Sequence, residues 1–265
     1  MKITEMLKRG LGIVLFLTFV LAGLQARAVG GKIQQVDGTW LAGEEIRFKK
    51  TTGEYIVTVK GTDIPLPKNR VKAVVIDKPA AYDQAAAAVS TGAIDQAIPM
   101  LEQLATECFL LSPWDARVLN VLGAAYKKKG DKQKAAATYK KLLGTAAASS
   151  ITMDMQRKAW EMFIAVDDKE SLRQSVDAAI TGGTRENAAA AHIARADMAK
   201  AQGNKQDAML DYLRVVILYE QVKSLQAEAL YKVTQCLEEL RDPRAEDFRK
   251  KLIAEYPQDP WAVKK

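Results

Sequence analysis

The chain has 265 residues, 48% of them apolar, and a formal net charge of +7. That apolar share excludes a disordered chain and is enough for a large core. Aromatic residues are sparse at 7% and the excess charge is not gathered into a basic stripe, so the composition favours packed helices and excludes a nucleic-acid-binding face.

Residues 1–28 read as a cleaved signal peptide. Lys2, Lys8 and Arg9 form a charged leader, Leu11 to Leu24 an apolar run of 14 residues, and Ala26-Arg27-Ala28 a small-x-small cleavage site. A bilayer span needs roughly 20 residues, so the run is too short for an anchor. Cleavage would start the mature chain at Val29 and leave 35 basic and 31 acidic residues. No later apolar run is long enough to cross a membrane, and no cysteine follows the leader to carry a lipid. The expected location is the periplasm or the exterior.

Residues 29–78 form a small β unit. Ile46 and Phe48 alternate with charged residues, and Tyr55, Val57 and Val59 do likewise. Period-two alternation marks strands with one buried face. Asp37-Gly38, Thr52-Gly53 and Lys60-Gly61 are turn signals, and Pro65 and Pro67 demote the run around Ile64 to an edge strand. Five strands follow, at 32–36, 44–49, 54–59, 62–66 and 71–76, the content of a closed SH3-like or Sm-like barrel. So small a unit is marginal alone and should dock on the first helices.

From Pro79 onward the pattern changes to helical. Turns are expected at Gly92, Gly130, Asp167, Gly203 and near Leu240, a period close to 37. Five residues after each stand Ala97, Ala135, Leu172, Ala208 and Ala245, and nine after stand Leu101, Tyr139, Val176, Tyr212 and Arg249. Small-then-large at i and i+4 puts both on one helix face. Ser112-Pro113 and Asp242-Pro243 read as caps followed by proline, Asp167 with Glu170 as a capping box, and Thr184 as a cap after Gly182-Gly183. The result is ten helices in five antiparallel pairs over residues 79–265: 80–91, 94–109, 113–129, 131–144, 151–166, 168–180, 184–202, 204–219, 222–240 and 243–256. No pair buries its apolar face alone, so the pairs must stack into an α-solenoid.

Leu119, Leu122, Gly123, Tyr126, Gly130-Asp131, Ala135 and Tyr139 stand in the order found in the tetratricopeptide repeat (TPR) family, which this segment resembles. Weaker copies surround Gly92 and Gly203. Residues 151–183 keep the spacing but place Trp160 where a small residue belongs, so that pair should be distorted. Asp259-Pro260-Trp261 echoes Ser112-Pro113-Trp114. Leader, β unit and repeats together resemble envelope proteins of Gram-negative bacteria. The resemblance implies a mainly α fold and a concave groove, lined by the first helix of each pair, that binds a protein or peptide. The groove positions would be Arg117, Asn120, Lys127, Lys128, Asp154, Arg157, Glu161, Asp197 and Lys200.

No catalytic constellation, metal site or cofactor motif is visible. His192, the single histidine, sits in an alanine run and reads as a partly buried helix residue. Cys108 and Cys236 lie on different predicted helices and read as buried free thiols. The expected function is a non-enzymatic, exported scaffold for a protein partner, with nucleic acid excluded and the oligomeric state left open. A second reading makes the β unit a cell-wall or glycan binder through Trp40 and Tyr55, provided both are exposed.

Overall fold

A computed structural model describes residues 29–264; the expected leader, residues 1–28, lies outside them. The β unit has six strands: β1 (Gly31–Gln35), β2 (Trp40–Gly43), β3 (Glu45–Lys49), β4 (Glu54–Val59), β5 (Thr62–Pro67) and β6 (Val71–Ile76). They form two three-stranded antiparallel sheets, ordered β2-β1-β6 and β3-β4-β5. This corrects two expectations. Strand β2 is too short to show alternation and ends in glycine, so the pattern hides it. The barrel is not closed, because among the described residues no ladder joins either edge of one sheet to an edge of the other. The chain crosses between sheets at Glu44, where Ile46 N–H donates to Val29 O at 2.9 Å. Gly43 permits the crossing: a Cβ there would lie 2.5 Å from Val57 Cγ1.

Ile33, Ile46, Val57, Val74 and Ile76 fill the space between the sheets. The unit docks on the chain just after the second helix. Tyr55 Oη donates to Leu110 O at 3.3 Å, Phe48 packs on Phe109 at 5.8 Å, and Ile76 N–H donates to Ser112 O at 3.0 Å. The buried residues of both parts form one continuous cluster, which gives a unit too small to be stable alone the apolar cover it needs.

Ten helices follow among the described residues: α1 (Tyr82–Thr91), α2 (Ile94–Glu107), α3 (Trp114–Lys129), α4 (Lys132–Thr145), α5 (Met153–Ala165), α6 (Lys169–Gly182), α7 (Arg185–Ala201), α8 (Lys205–Leu218), α9 (Lys223–Glu239) and α10 (Ala245–Glu255). They pack as five antiparallel pairs, each against the next. The turns sit in left-handed conformation at Gly92, Gly130, Asp167, Gly203 and Arg241, with φ of 88°, 86°, 56°, 83° and 58°. Glycine takes that conformation at no steric cost; Asp167 and Arg241 adopt it without that freedom, which shows that the period outweighs the local preference.

The expected register holds in the first four pairs. Ala97, Ala135 and Ala208 are fully buried, as are Leu101, Tyr139, Val176 and Tyr212 to within 1%. It lapses in the last, where Arg249 is exposed and pairs with Glu238. Several cap assignments shift. Asp168, not Asp167, accepts from Ser171 N–H; Ser112 bonds Ser150 rather than capping α3; Asp242 accepts from Arg244 N–H. Thr184 caps α7 as expected. Trp160 is 1% exposed and its indole N–H donates to Ser175 Oγ at 2.9 Å. Its bulk holds α5 and α6 apart, and they are the loosest of the five pairs. Cys108 and Cys236 are free and buried.

Candidate functional site

The first helices of the pairs, α3, α5, α7 and α9, line a groove of about 530 Å³ on one side of the array. Its floor is apolar: Trp160 and Ile164 from α5, Ala190, Ile193 and Ala194 from α7. Its far end is walled by Trp261, beyond α10. Charged side chains stand around this floor in pairs. Lys127 donates to Glu161 at 2.6 and 2.7 Å. Lys158 donates to Asp154 at 2.6 Å.

A deeper lattice ties α5, α7, α8 and α9 together. Arg157 of α5 donates to both oxygens of Glu228 of α9, at 2.9 and 2.7 Å, across 71 residues of sequence. Lys232 lies 2.9 Å from Glu228 and donates to both oxygens of Asp197 at 2.8 Å. Tyr212 Oη donates to Asp197 at 2.5 Å. Between the α5 and α9 partners, α7 contributes the small side chains Ala190 and Ala194 to the groove lining.

Burial pushes the Glu228 carboxyl up, but the Lys232 and Arg157 cations outweigh it and hold the acid below its ordinary value. Burial, reinforced by the Asp197 carboxylate, raises the Tyr212 phenol. Both groups therefore keep the protonation states that the lattice requires, anionic acid and neutral phenol.

Five of the nine expected groove residues meet here: Lys127, Asp154, Arg157, Glu161 and Asp197. The other four do not line it. The Arg117 guanidinium stacks on the Trp114 ring at 4.7 Å. The Asn120 side-chain oxygen is buried without a hydrogen-bond partner. Lys128 donates to Val89 O at the end of α1, at 2.8 Å. Lys200 pairs with Glu239 at 3.1 Å. A register counted from the turns puts a residue on a helix but does not fix which neighbour its side chain reaches. Sequence reasoning misses Lys158, Glu228, Lys232 and Trp261. A signal for some is present: opposite charges one repeat apart, as in Lys127 with Glu161 and Asp197 with Lys232, separated by 34 and 35 residues.

His192 is buried on the other side of α7. Its Nδ1 lies 3.3 Å from Asp211 Oδ1, and Arg195 grips the same carboxylate at 2.7 Å through two nitrogens. Arg214 also pairs with Asp211. Burial would raise the Asp211 carboxyl, yet hydrogen bonds from Arg195 and His192 take it well below the carboxylate range. Among the described hydrogen bonds, none joins His192 to a serine, threonine or cysteine. Among the described residues, no three or more His, Cys, Asp or Glu gather as a metal site. No described helix is long and apolar enough to cross a membrane.

In the β unit, Trp40 is 47% exposed, and the Lys32 ammonium sits 4.9 Å over its ring. Tyr55 is buried, which removes it from the surface expected of a glycan-binding face.

No family model and no curated protein matches the chain. Among solved structures, it is similar to the crystal structure of MamA protein, with 17% identity over 67% of this chain and 93% of that one, and a TM-score of 0.48. It is also similar to a crystal structure of nearly identical TPR-like repeats from a Podosopora anserina putative kinesin light chain, with 18% identity over 67% and 95%, and a TM-score of 0.51. The latter likeness supports a TPR-like fold for the helical part.

Proposed function

We propose that the chain is an exported, non-enzymatic scaffold whose helical array holds a protein or peptide partner in the groove. The observation that carries this reading is the groove itself: an apolar floor built across consecutive pairs and open along one side. An extended segment or a single helix could lie along it and bury its apolar face there. The TPR-like fold is consistent with such use, and no cofactor enters the reading.

The test is site-specific photocrosslinking in the native envelope, from a probe at Glu161 on the groove rim. A protein adduct lost on Ala190→Trp, which fills the floor, is the expected result. An adduct unchanged by that substitution would place the contact elsewhere. Export is tested by N-terminal sequencing of the fractionated protein, expected to begin at Val29.

A second reading rests on Trp40, exposed on β2 with Lys32 over its ring. An indole face of this kind stacks on sugar rings, which would make the β unit a wall-binding module. Retention on purified cell wall that disappears with Trp40→Ala would favour it.

A further inference from the structure

The charges of the groove are already spent on one another. Lys127, Lys158, Arg157 and Lys232 each have a carboxylate partner within the groove, so a charged ligand would have to break existing pairs. Recognition therefore falls on the apolar atoms, and the chain itself shows what they accept. Trp261 walls the groove and also lines the adjoining hollow on α9 and α10. Its ring packs on Tyr231 at 5.2 Å, with the Lys232 ammonium 5.9 Å away and the Lys264 ammonium 4.3 Å away.

The segment that carries this ring is held by side-chain packing, of Trp261 and Ala262 on the core and of Lys264 over the Tyr231 ring, rather than by backbone ladders. Asp259 N–H bonds Tyr256 O and Ala262 N–H bonds Asp259 O, while Trp261 N–H bonds Asp259 Oδ1. These bonds are local turns. Among the described hydrogen bonds, none ties residues 257–264 to α9. Trp114, the other tryptophan after a proline, is a contrast. It sits edge-on to Tyr82 at 4.8 Å under Arg117, but α3 continues from it and fixes it in place. The same kind of aromatic seat, a tyrosine ring beside a cation, is thus used twice, once permanently and once by a loosely tied tail.

We propose that the Tyr231–Lys232 seat is a binding site for an aromatic side chain on a partner segment of no net charge, and that Trp261 fills it in competition with that partner. The proposal rests on the groove being a partner site and adds the chemistry of what enters it. An intramolecular occupant lowers the apparent affinity of a competing segment by the fraction of time the seat is filled.

The test uses the full chain and a fluorescein-labelled peptide with the sequence of residues 256–264. Anisotropy should show saturable binding to the Trp261→Ala chain and roughly tenfold or weaker binding to the wild type. The same peptide with its tryptophan replaced by alanine should bind neither. Equal binding to both chains, or binding that survives loss of the peptide tryptophan, would overturn the proposal. Trp261→Leu is the second variant should Trp261→Ala lose its helical circular dichroism. In the wild type labelled with 5-fluorotryptophan, the unlabelled peptide should shift the Trp261 fluorine resonance; a fixed resonance at saturating peptide also overturns it. Failure here with a groove adduct still formed from Glu161 would remove the seat and spare the scaffold reading.

Discussion

Gly123 marks the closest approach of α3 and α4, and Gly123→Ala tests whether their register is right. A Cβ at this position would lie 2.7 Å from both Cε2 and Cζ of Tyr139, and 3.1 Å from its Cδ2. Carbon atoms rest at roughly 3.5–4.0 Å, so the ring or the helix must retreat by about an ångström. Tyr139 is 1% exposed, which leaves its ring no open side to retreat into. Forcing a methyl into such packing costs about 1–3 kcal/mol. Against this, alanine in a helix interior is more favourable than glycine by roughly 0.8–1 kcal/mol. The expected net loss is about 0–2 kcal/mol, read by urea unfolding followed by circular dichroism. Helix propensity by itself predicts the opposite sign, so a variant more stable than the wild type refutes the packing. A double-mutant cycle sharpens the test. In a Tyr139→Leu background the added methyl meets no ring, and Gly123→Ala should become neutral or stabilising there.

Glu228→Gln leaves Arg157 and Lys232 facing each other without the anion between them. Removing one member of a buried pair costs about 3–5 kcal/mol; Arg157 is a third exposed, which puts the expected loss near the low end. Because the Glu228 carboxyl is held below its ordinary 4.5, its contribution is complete above that pH and is lost as pH falls through the folded value. The wild type should therefore lose stability below about pH 4.5 more steeply than Glu228→Gln, and parallel pH profiles would refute the lattice. Burial, aided by Glu107 and Asp115, pushes the Cys108 thiol up to about 12, and burial also raises Cys236. Both should ignore a thiol reagent at about pH 8 in the native chain and react fully in denaturant; silence in denaturant would reveal a disulfide. Trp160→Ala should cost about 3–5 kcal/mol in the same unfolding assay, since the indole is buried and hydrogen-bonded. A loss under about 1 kcal/mol would mean that the indole does not hold the α5–α6 gap open.

The helical array is legible in the sequence because its information is local and repeated. Each turn residue, each buried alanine and each large partner four places on recurs within one period, so the spans of all ten helices follow from counting. The left-handed φ of Asp167 and Arg241 shows that the period carries even where the preferred glycine is missing. Strand β2 and the open edge of the β unit are not legible in this way. Four residues are too few to show alternation, and whether two sheets close into a barrel depends on ladders between segments far apart in sequence.

The groove divides along the same line. Its helices come from repeat position, and five of its charged residues from the resemblance to the repeat family. The pairing of Arg157 with Glu228 does not, because its two partners lie 71 residues apart and meet only through the way the pairs stack. The seat of Trp261 is likewise a matter of a tail folding back on a helix that ends well before it. Helix period and turn chemistry act over a few neighbouring residues, so the repeat units and their order are written in the chain. Which charges meet, and what fills the groove, is settled by the rotation accumulated from pair to pair, which no single repeat encodes.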